Sequence, residues 1–224
     1  MPIVNHGGNG LLMAKKFMTK SLLVFLRRPV LGKVKTRLAK ELGKEKALEI
    51  YVWLLEVSRL SFESLNDEVH LYFDEKSHYL PDWAEKYSCY FQAGENLGGR
   101  MENAFLDHLS IKGENHCLMI GSDCPEMKES VILEAFDKIN SSDLVLGPAR
   151  DGGIYLIGMK SLKPGLLSNI SWGSDKVFTQ ILNNAENLRI SVNILPVLSD
   201  IDYATDFEKF EKQFEDYKEH NHVA

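Results

Sequence analysis

Four stretches of this 224-residue chain gather side chains that can do chemistry. "RRPVLGKVKTRLA" sets Arg27, Arg28, Lys33, Lys35 and Arg37 within eleven residues, around Gly32, in a chain of formal net charge −6. Bulk charge therefore gives no attraction to nucleic acid or an anionic membrane, so an anion site must be built locally. Cations beside a helix opening near Thr36 suit a phosphate; a solvated basic loop is the plain alternative. The pattern is neither G-x-x-x-x-G-K-S/T nor G-x-G-x-x-G, which disfavours a P-loop NTPase and a dinucleotide fold.

"IGSDCPEM" places Asp123 just past an apolar run, after the small residues Gly121 and Ser122. Small residues there let a ligand approach the backbone. A carboxylate at the carboxyl end of a buried strand is a natural ligand for Mg²⁺ or Mn²⁺ bridging to a pyrophosphate. It can also cap a helix opening at Pro125. The neighbouring Cys124 would need a base to act as nucleophile. The nearest histidine in sequence, His116, lies at the other end of the same strand. The H-x-E and P-C-x-x-C pair of a zinc deaminase is absent, so Cys124 reads as a packing thiol.

"GPARDGGIYLIG" reads first as an Asp-Gly hairpin turn. Gly153 exceeds what a turn needs, and two glycines would clear space around Asp151, which could contact a sugar or deprotonate an acceptor hydroxyl. "LPVLSDIDYATDF" puts Asp200, Asp202 and Asp206 after the last apolar run. Its D-x-D comes too late for a phosphoaspartyl phosphatase, because only about twenty residues follow it. A second metal ligand facing Asp123 is the better reading, beside the plain one of solvated acids before a helix.

Strand–helix alternation must position these loops. The strand candidates are "SLLVFL" from Ser21, "EVHLYF" from Glu68, "CLMIG" from Cys117, "DLVLGP" from Asp143, "IYLIGM" from Ile154 and "ISVNILPV" from Ile190. Several are apolar on both faces, as buried parallel strands are. Helices are expected over 44–65, with Ala47, Tyr51, Leu54, Leu55 and Ser58 on one stripe, and over 126–139, 174–185 and 205–217. Pro125 would precede the second, and a Thr205–Glu208 capping box would open the last. The expected fold is a three-layer α/β/α sandwich with a mostly parallel, mixed sheet, whose ligands sit beyond the strands' carboxyl ends.

The composition, 44% hydrophobic and 26% charged, is that of an ordinary soluble domain. Three cysteines without a C-x-x-C indicate neither a disulfide framework nor a zinc ribbon, and fit a reducing cytoplasm. No apolar run approaches the roughly 18 residues of a membrane span. Residues 1–18 are expected to form a flexible tail and 19–224 a single domain, with Met13 and Met18 as alternative starts. The sequence is compatible with a homodimer.

In order, these loops resemble the nucleotide-diphospho-sugar transferase superfamily, with its glycosyltransferase A-like fold. The resemblance runs from about Leu22 to Phe207. It points to a bacterial glycosyltransferase-like family, some members of which are linked to arsenosugar biosynthesis, related to the phospholactate guanylyltransferases. Its motifs stand here as "RRPVLGKVKTRL", "QAGENLGGRM", "GSDCP", "GPARDGGIYLIG" and "DIDYATD". Each is weak alone, and the ordered set of five is specific. The resemblance implies that Asp123 and Asp202 are metal ligands and that Arg27, Lys35 and Arg37 contact donor phosphates. Gln92, Gly94 and Arg100 would approach base and ribose, and Gly152, Gly153 and Trp172 would lie on the acceptor side. Two segments depart from it: "WGS" replaces W-S-T after Trp172, and Tyr203-Ala204 replaces Thr-Pro. The implied activity is metal-dependent (Mg or Mn) transfer from a nucleotide sugar to a small-molecule acceptor, with Asp151 as base. The alternatives are nucleotidyl transfer from a nucleoside triphosphate, releasing pyrophosphate, and a catalytically degenerate nucleotide-binding protein.

Overall fold

A computed structural model describes residues 19–74, 80–111 and 116–221. The tail expected over 1–18 lies outside the described residues. Seven strands form one sheet in the order β3-β2-β1-β4-β6-β5-β7. They are β1 (Lys20–Leu26), β2 (Val69–Phe73), β3 (Ser88–Phe91), β4 (His116–Ile120), β5 (Leu144–Pro148), β6 (Ile154–Met159) and β7 (Val192–Ile194). All neighbours pair parallel except β6, which runs antiparallel to both β4 and β5. The mostly parallel, mixed sheet expected from the sequence is therefore the one observed.

The helices cover both faces, so β1, β2, β4 and β5 are apolar almost throughout. On one face α2 (Lys44–Phe62) and α4 (Glu129–Lys138) pack Tyr51, Leu55, Ile132 and Phe136 against Leu22, Val24, Leu71 and Leu118. On the other, α3 (Leu97–Leu106) and α5 (Val177–Asn187) pack Met101, Phe105, Val177 and Ile181 against Leu23, Met119, Leu146 and Ile157. The stripe expected on α2 is buried, but α2 buries a second side as well. Ile50, Trp53 and Leu54 meet Leu38 of α1 (Thr36–Leu42), Phe214 of α7 (Glu211–Asn221), and Phe207 and Phe210 from the segment just before α7.

Several boundaries differ from expectation for local reasons. Pro125 lies in a turn closed by Met127 N–H donating to the Cys124 carbonyl (3.2 Å), and α4 opens only at Glu129. Asp123 therefore caps no helix there. The last helical region starts with α6 (Ala204–Phe207), capped by Asp206 rather than by Thr205. The Asp206 carboxylate accepts the backbone N–H groups of Tyr203 (2.9 Å) and Asp202 (3.2 Å).

Two elements escape the sequence pattern. Strand β3 is a four-residue edge strand with no alternation to read. Helix α3 begins Leu-Gly-Gly, which hides it from propensity, yet Asn96 caps it by accepting the Gly99 N–H at 3.0 Å. Gly98 is small because a Cβ there would lie 2.8 Å from the Trp172 indole nitrogen.

Gly147 in β5 has an equally physical reason: a Cβ would sit 2.4 Å from the Tyr155 ring, whose hydroxyl donates to the Pro196 carbonyl at 2.8 Å. Gly147→Ala is expected to destabilise the protein by about 1–3 kcal/mol through overpacking, read as a lower urea midpoint. An unchanged midpoint would show that the ring yields freely.

Candidate active site

The chain leaves β1 toward β2 and β3 on one side, and resumes with β4 on the other. The β1/β4 boundary is thus the topological switch point, where the strands' carboxyl ends open a crevice. A cleft of about 640 Å³ lies there, and ten of the twelve site residues expected from sequence line it. The exceptions are Gly94 and Gly152.

At the centre is a lysine. Lys35 Nζ lies 2.7 Å from Asp123 Oδ1 and 3.4 Å from Asp202 Oδ1. The side chain is only 4% exposed, against 53% for Asp123 and 32% for Asp202. Burial alone would lower the Lys35 pKa, but the charges and hydrogen bonds of Asp123 and Asp202 outweigh it and hold the ammonium above the ordinary range. Arg37 closes the group, 2.8 Å from Asp202 Oδ2, and also donates to the Gly173 carbonyl at 3.3 Å. Arg37 thus ties the cationic loop to the Trp172–Ser174 wall, while Arg27, Lys33 and Arg37 stay exposed to solvent.

Three devices hold this cluster in place. The Tyr51 hydroxyl accepts the Arg27 N–H and donates to the Arg27 carbonyl, both at 2.9 Å, and lies 3.4 Å from Ser122 Oγ. It thereby joins the ends of β1 and β4. Burial first, and the Asp123 charge second, push its phenol above the usual tyrosine range, so it stays protonated. The two acidic loops are tied directly, since Ile201 N–H donates to the Asp123 carbonyl at 3.1 Å. Beyond β7 the chain continues along β5 through Leu195, Leu198 and Arg150 backbone bonds, carrying Asp200 and Asp202 to the cleft.

Asp151 sits in the β5–β6 hairpin, so the turn reading holds. Its Oδ1 accepts the Gly153 N–H at 2.7 Å, and a Cβ on Gly153 would lie 2.9 Å from that oxygen. Gly152 serves packing instead, because a Cβ there would strike the Asp175 backbone at 2.1 Å, at φ 89°. Gly94 likewise admits the backbone of Arg100, 2.6 Å from a built Cβ. Gln92 lines the cleft, but its amide donates to the Leu26 (3.2 Å) and Tyr72 (3.0 Å) carbonyls. It braces the sheet edge, and its Oε1 lies 3.5 Å from Arg100. Cys124 is buried in the core, its thiol pushed up to about 12 mainly by desolvation, which agrees with a packing role.

The donor set suits Mg²⁺ or Mn²⁺ in kind: two carboxylates reach toward one cation position. Their Nζ distances of 2.7 and 3.4 Å, laid end to end, keep the two oxygens within about 6 Å. No group of three or more His, Cys, Asp or Glu side chains among the described residues could hold a metal. Magnesium commonly uses one or two carboxylates, completed by water and substrate phosphates.

A family described as uncharacterised proteins conserved in bacteria (DUF2064) matches residues 59–174. The chain belongs to this family. The match includes Asp123 and Asp151, while the Lys35 loop and Asp202 fall outside it. No curated protein matches the chain. Among solved structures, a protein from Desulfovibrio desulfuricans G20 provisionally named a nucleotide-diphospho-sugar transferase is 24% identical, with TM-score 0.76, over 88% of this chain and 97% of that one. The inositol-1-phosphate CTP transferase of T. maritima is 13% identical, with TM-score 0.52, over 90% and 97%. The 4-diphosphocytidyl-2C-methyl-D-erythritol synthase of Anaerococcus prevotii DSM 20548 is 12% identical, with TM-score 0.55, over 88% and 99%. At these identities the shared property is the fold, that of nucleotide-diphospho-sugar transferases. No helix among the described residues is long and apolar enough to cross a membrane.

The site residues that sequence reasoning left unassigned are Tyr51 and Asp200. Tyr51 read as one more apolar position on a helix stripe. Asp200 stood beside Asp202 without a role, yet burial, then the charges of Asp151 and Asp202, raise its carboxyl to about 7. A raised carboxylate binds its proton more tightly when folded, so its contribution to stability falls as pH climbs from roughly 4, the unfolded value, to about 7. In EDTA, the stabilisation of Asp200→Asn over the parent should grow between pH 5 and pH 8, read as a widening gap in melting temperature. A gap independent of pH would refute the raised value.

Proposed function

We propose that this protein is a transferase acting on a nucleotide-activated donor, with glycosyl transfer from a nucleotide sugar to a small hydroxyl acceptor as its reaction. The observation that carries the reading is the pair Asp123–Asp202 converging on one cation position at the switch-point crevice, with Arg27, Arg37 and Arg100 on the same cleft. A bound divalent ion would supply charge neutralisation to the donor pyrophosphate.

The chain's own groups supply the rest. Asp123 and Asp202 hold the cation, while Lys35 and Arg37 face phosphate oxygens as negative charge grows on the leaving group. Asp151, pinned by Gly153 N–H, takes the proton of the acceptor hydroxyl. The new bond joins that oxygen to the anomeric carbon as the bond from this carbon to the phosphate oxygen breaks, and nucleoside diphosphate departs. Trp172, packed on Gly98, offers the acceptor an apolar ring.

Nucleotidyl transfer is the second reading, favoured by the cytidylyl-transferring names among structures of this fold. There the acceptor oxygen attacks the α-phosphorus and pyrophosphate leaves.

The two readings differ in product. The protein, acceptor mixtures and Mn²⁺ are to be incubated with sugar nucleotides or with nucleoside triphosphates. Nucleoside diphosphate from a sugar nucleotide is expected. Pyrophosphate from a triphosphate, with no diphosphate from any sugar nucleotide, would overturn glycosyl transfer in favour of the second reading. In either case Asp123→Asn should lower turnover roughly 100-fold or more while nucleotide still binds. Turnover that survives this change would remove Asp123 from the chemistry, and turnover of no donor would favour a degenerate nucleotide-binding protein.

A further inference from the structure

We infer that Lys35 is a resident counter-cation which a divalent metal must displace, so that metal and nucleotide enter this cleft as a coupled pair and neither binds well alone. The inference rests on the metal-dependent reading above and adds how the site is controlled.

Its basis is position. The Lys35 ammonium stands between Asp123 Oδ1 and Asp202 Oδ1, at 2.7 and 3.4 Å, on a side chain that is 4% exposed. A metal joined to both carboxylates would stand roughly 2.0–2.6 Å from each oxygen, in the space the ammonium now fills. The two cannot share it.

Charge gives the same answer. Asp123 and Asp202 carry two negative charges, and Lys35 and Arg37 carry two positive ones, so the cluster is balanced as it stands. A divalent ion alone would leave an ammonium without its carboxylates. A nucleotide alone would bring phosphates to cations already committed to Asp123 and Asp202. Metal and nucleotide together balance again, with the metal on the carboxylates and Lys35 turned to the phosphates.

The backbone is suited to such a change. Lys35 has left-handed dihedrals (φ 45°, ψ 48°), which a side-chain-bearing residue seldom adopts, between the turn at Gly32 (φ 72°) and the start of α1. Lys35 makes both of its ion pairs from that conformation. Arg37 joins the same loop to the Gly173 carbonyl across the cleft.

The test uses the full chain and Mn²⁺ alone, titrated by electron paramagnetic resonance without nucleotide. Lys35→Met is expected to bind Mn²⁺ at least about 5-fold more tightly than the parent. Equal or weaker binding by the folded variant would overturn the exchange and leave the metal site itself intact. Mn²⁺ binding by neither protein would overturn both. A second measurement needs no variant: amine acylation of the parent, read by mass spectrometry, should spare Lys35 without metal and modify it in millimolar Mn²⁺. Labelling of Lys35 that Mn²⁺ does not change would overturn the exchange.

Discussion

One buried ammonium organises this molecule's working edge. Lys35 brings its charge out of water, which is costly unless it is repaid by close partners. Those partners, Asp123 and Asp202, come from loops 88 and 167 residues further along the chain. Much of the surrounding structure serves this meeting: the Tyr51 hydroxyl that joins β1 to β4, the Ile201 N–H on the Asp123 carbonyl, and the Asp206 cap beneath Asp202. The aromatic cluster of Trp53, Phe207 and Phe214 packs the C-terminal helices onto α2 and so anchors the last of these loops.

The sheet explains why the meeting happens where it does. Parallel strands β1 and β4 end side by side, and the chain departs from them in opposite directions, leaving a crevice that no crossover fills. The reversed strand β6 adds a second route to the same edge. Its hairpin with β5 returns Asp151 to the cleft, where a parallel strand would have needed a long connection. Glycines then decide how closely the walls approach: Gly98 under Trp172, and Gly153 beside Asp151.

The cleft is consequently a place of opposed charge. Lys35, Arg37 and Arg100 are already engaged with acidic or carbonyl oxygens, while Asp151 and Asp200 form no ion pair among the described residues. Burial of Asp200, then the nearby charges of Asp151 and Asp202, raises its carboxyl, and that proximity belongs to the fold rather than to any local motif.

Much of this was legible in order. Apolar runs at β1, β4 and β5 announced strands buried on both faces, and the loops after them held the charged residues that meet in the cleft. Illegible were β3, too short to show a period, and α3, disguised by two glycines. The structural contacts of Gln92, Gly94 and Gly152 were also hidden, because an amide bracing two carbonyls and a glycine admitting a backbone look in sequence like residues awaiting a ligand. By itself the sequence determined which side chains would stand at the strands' carboxyl ends, since hydrophobic period and turn chemistry are local. Only the tertiary structure decided that Lys35 would rest between Asp123 and Asp202, because electrostatic partnership depends on distance through space and on burial, and neither is written in the order of residues.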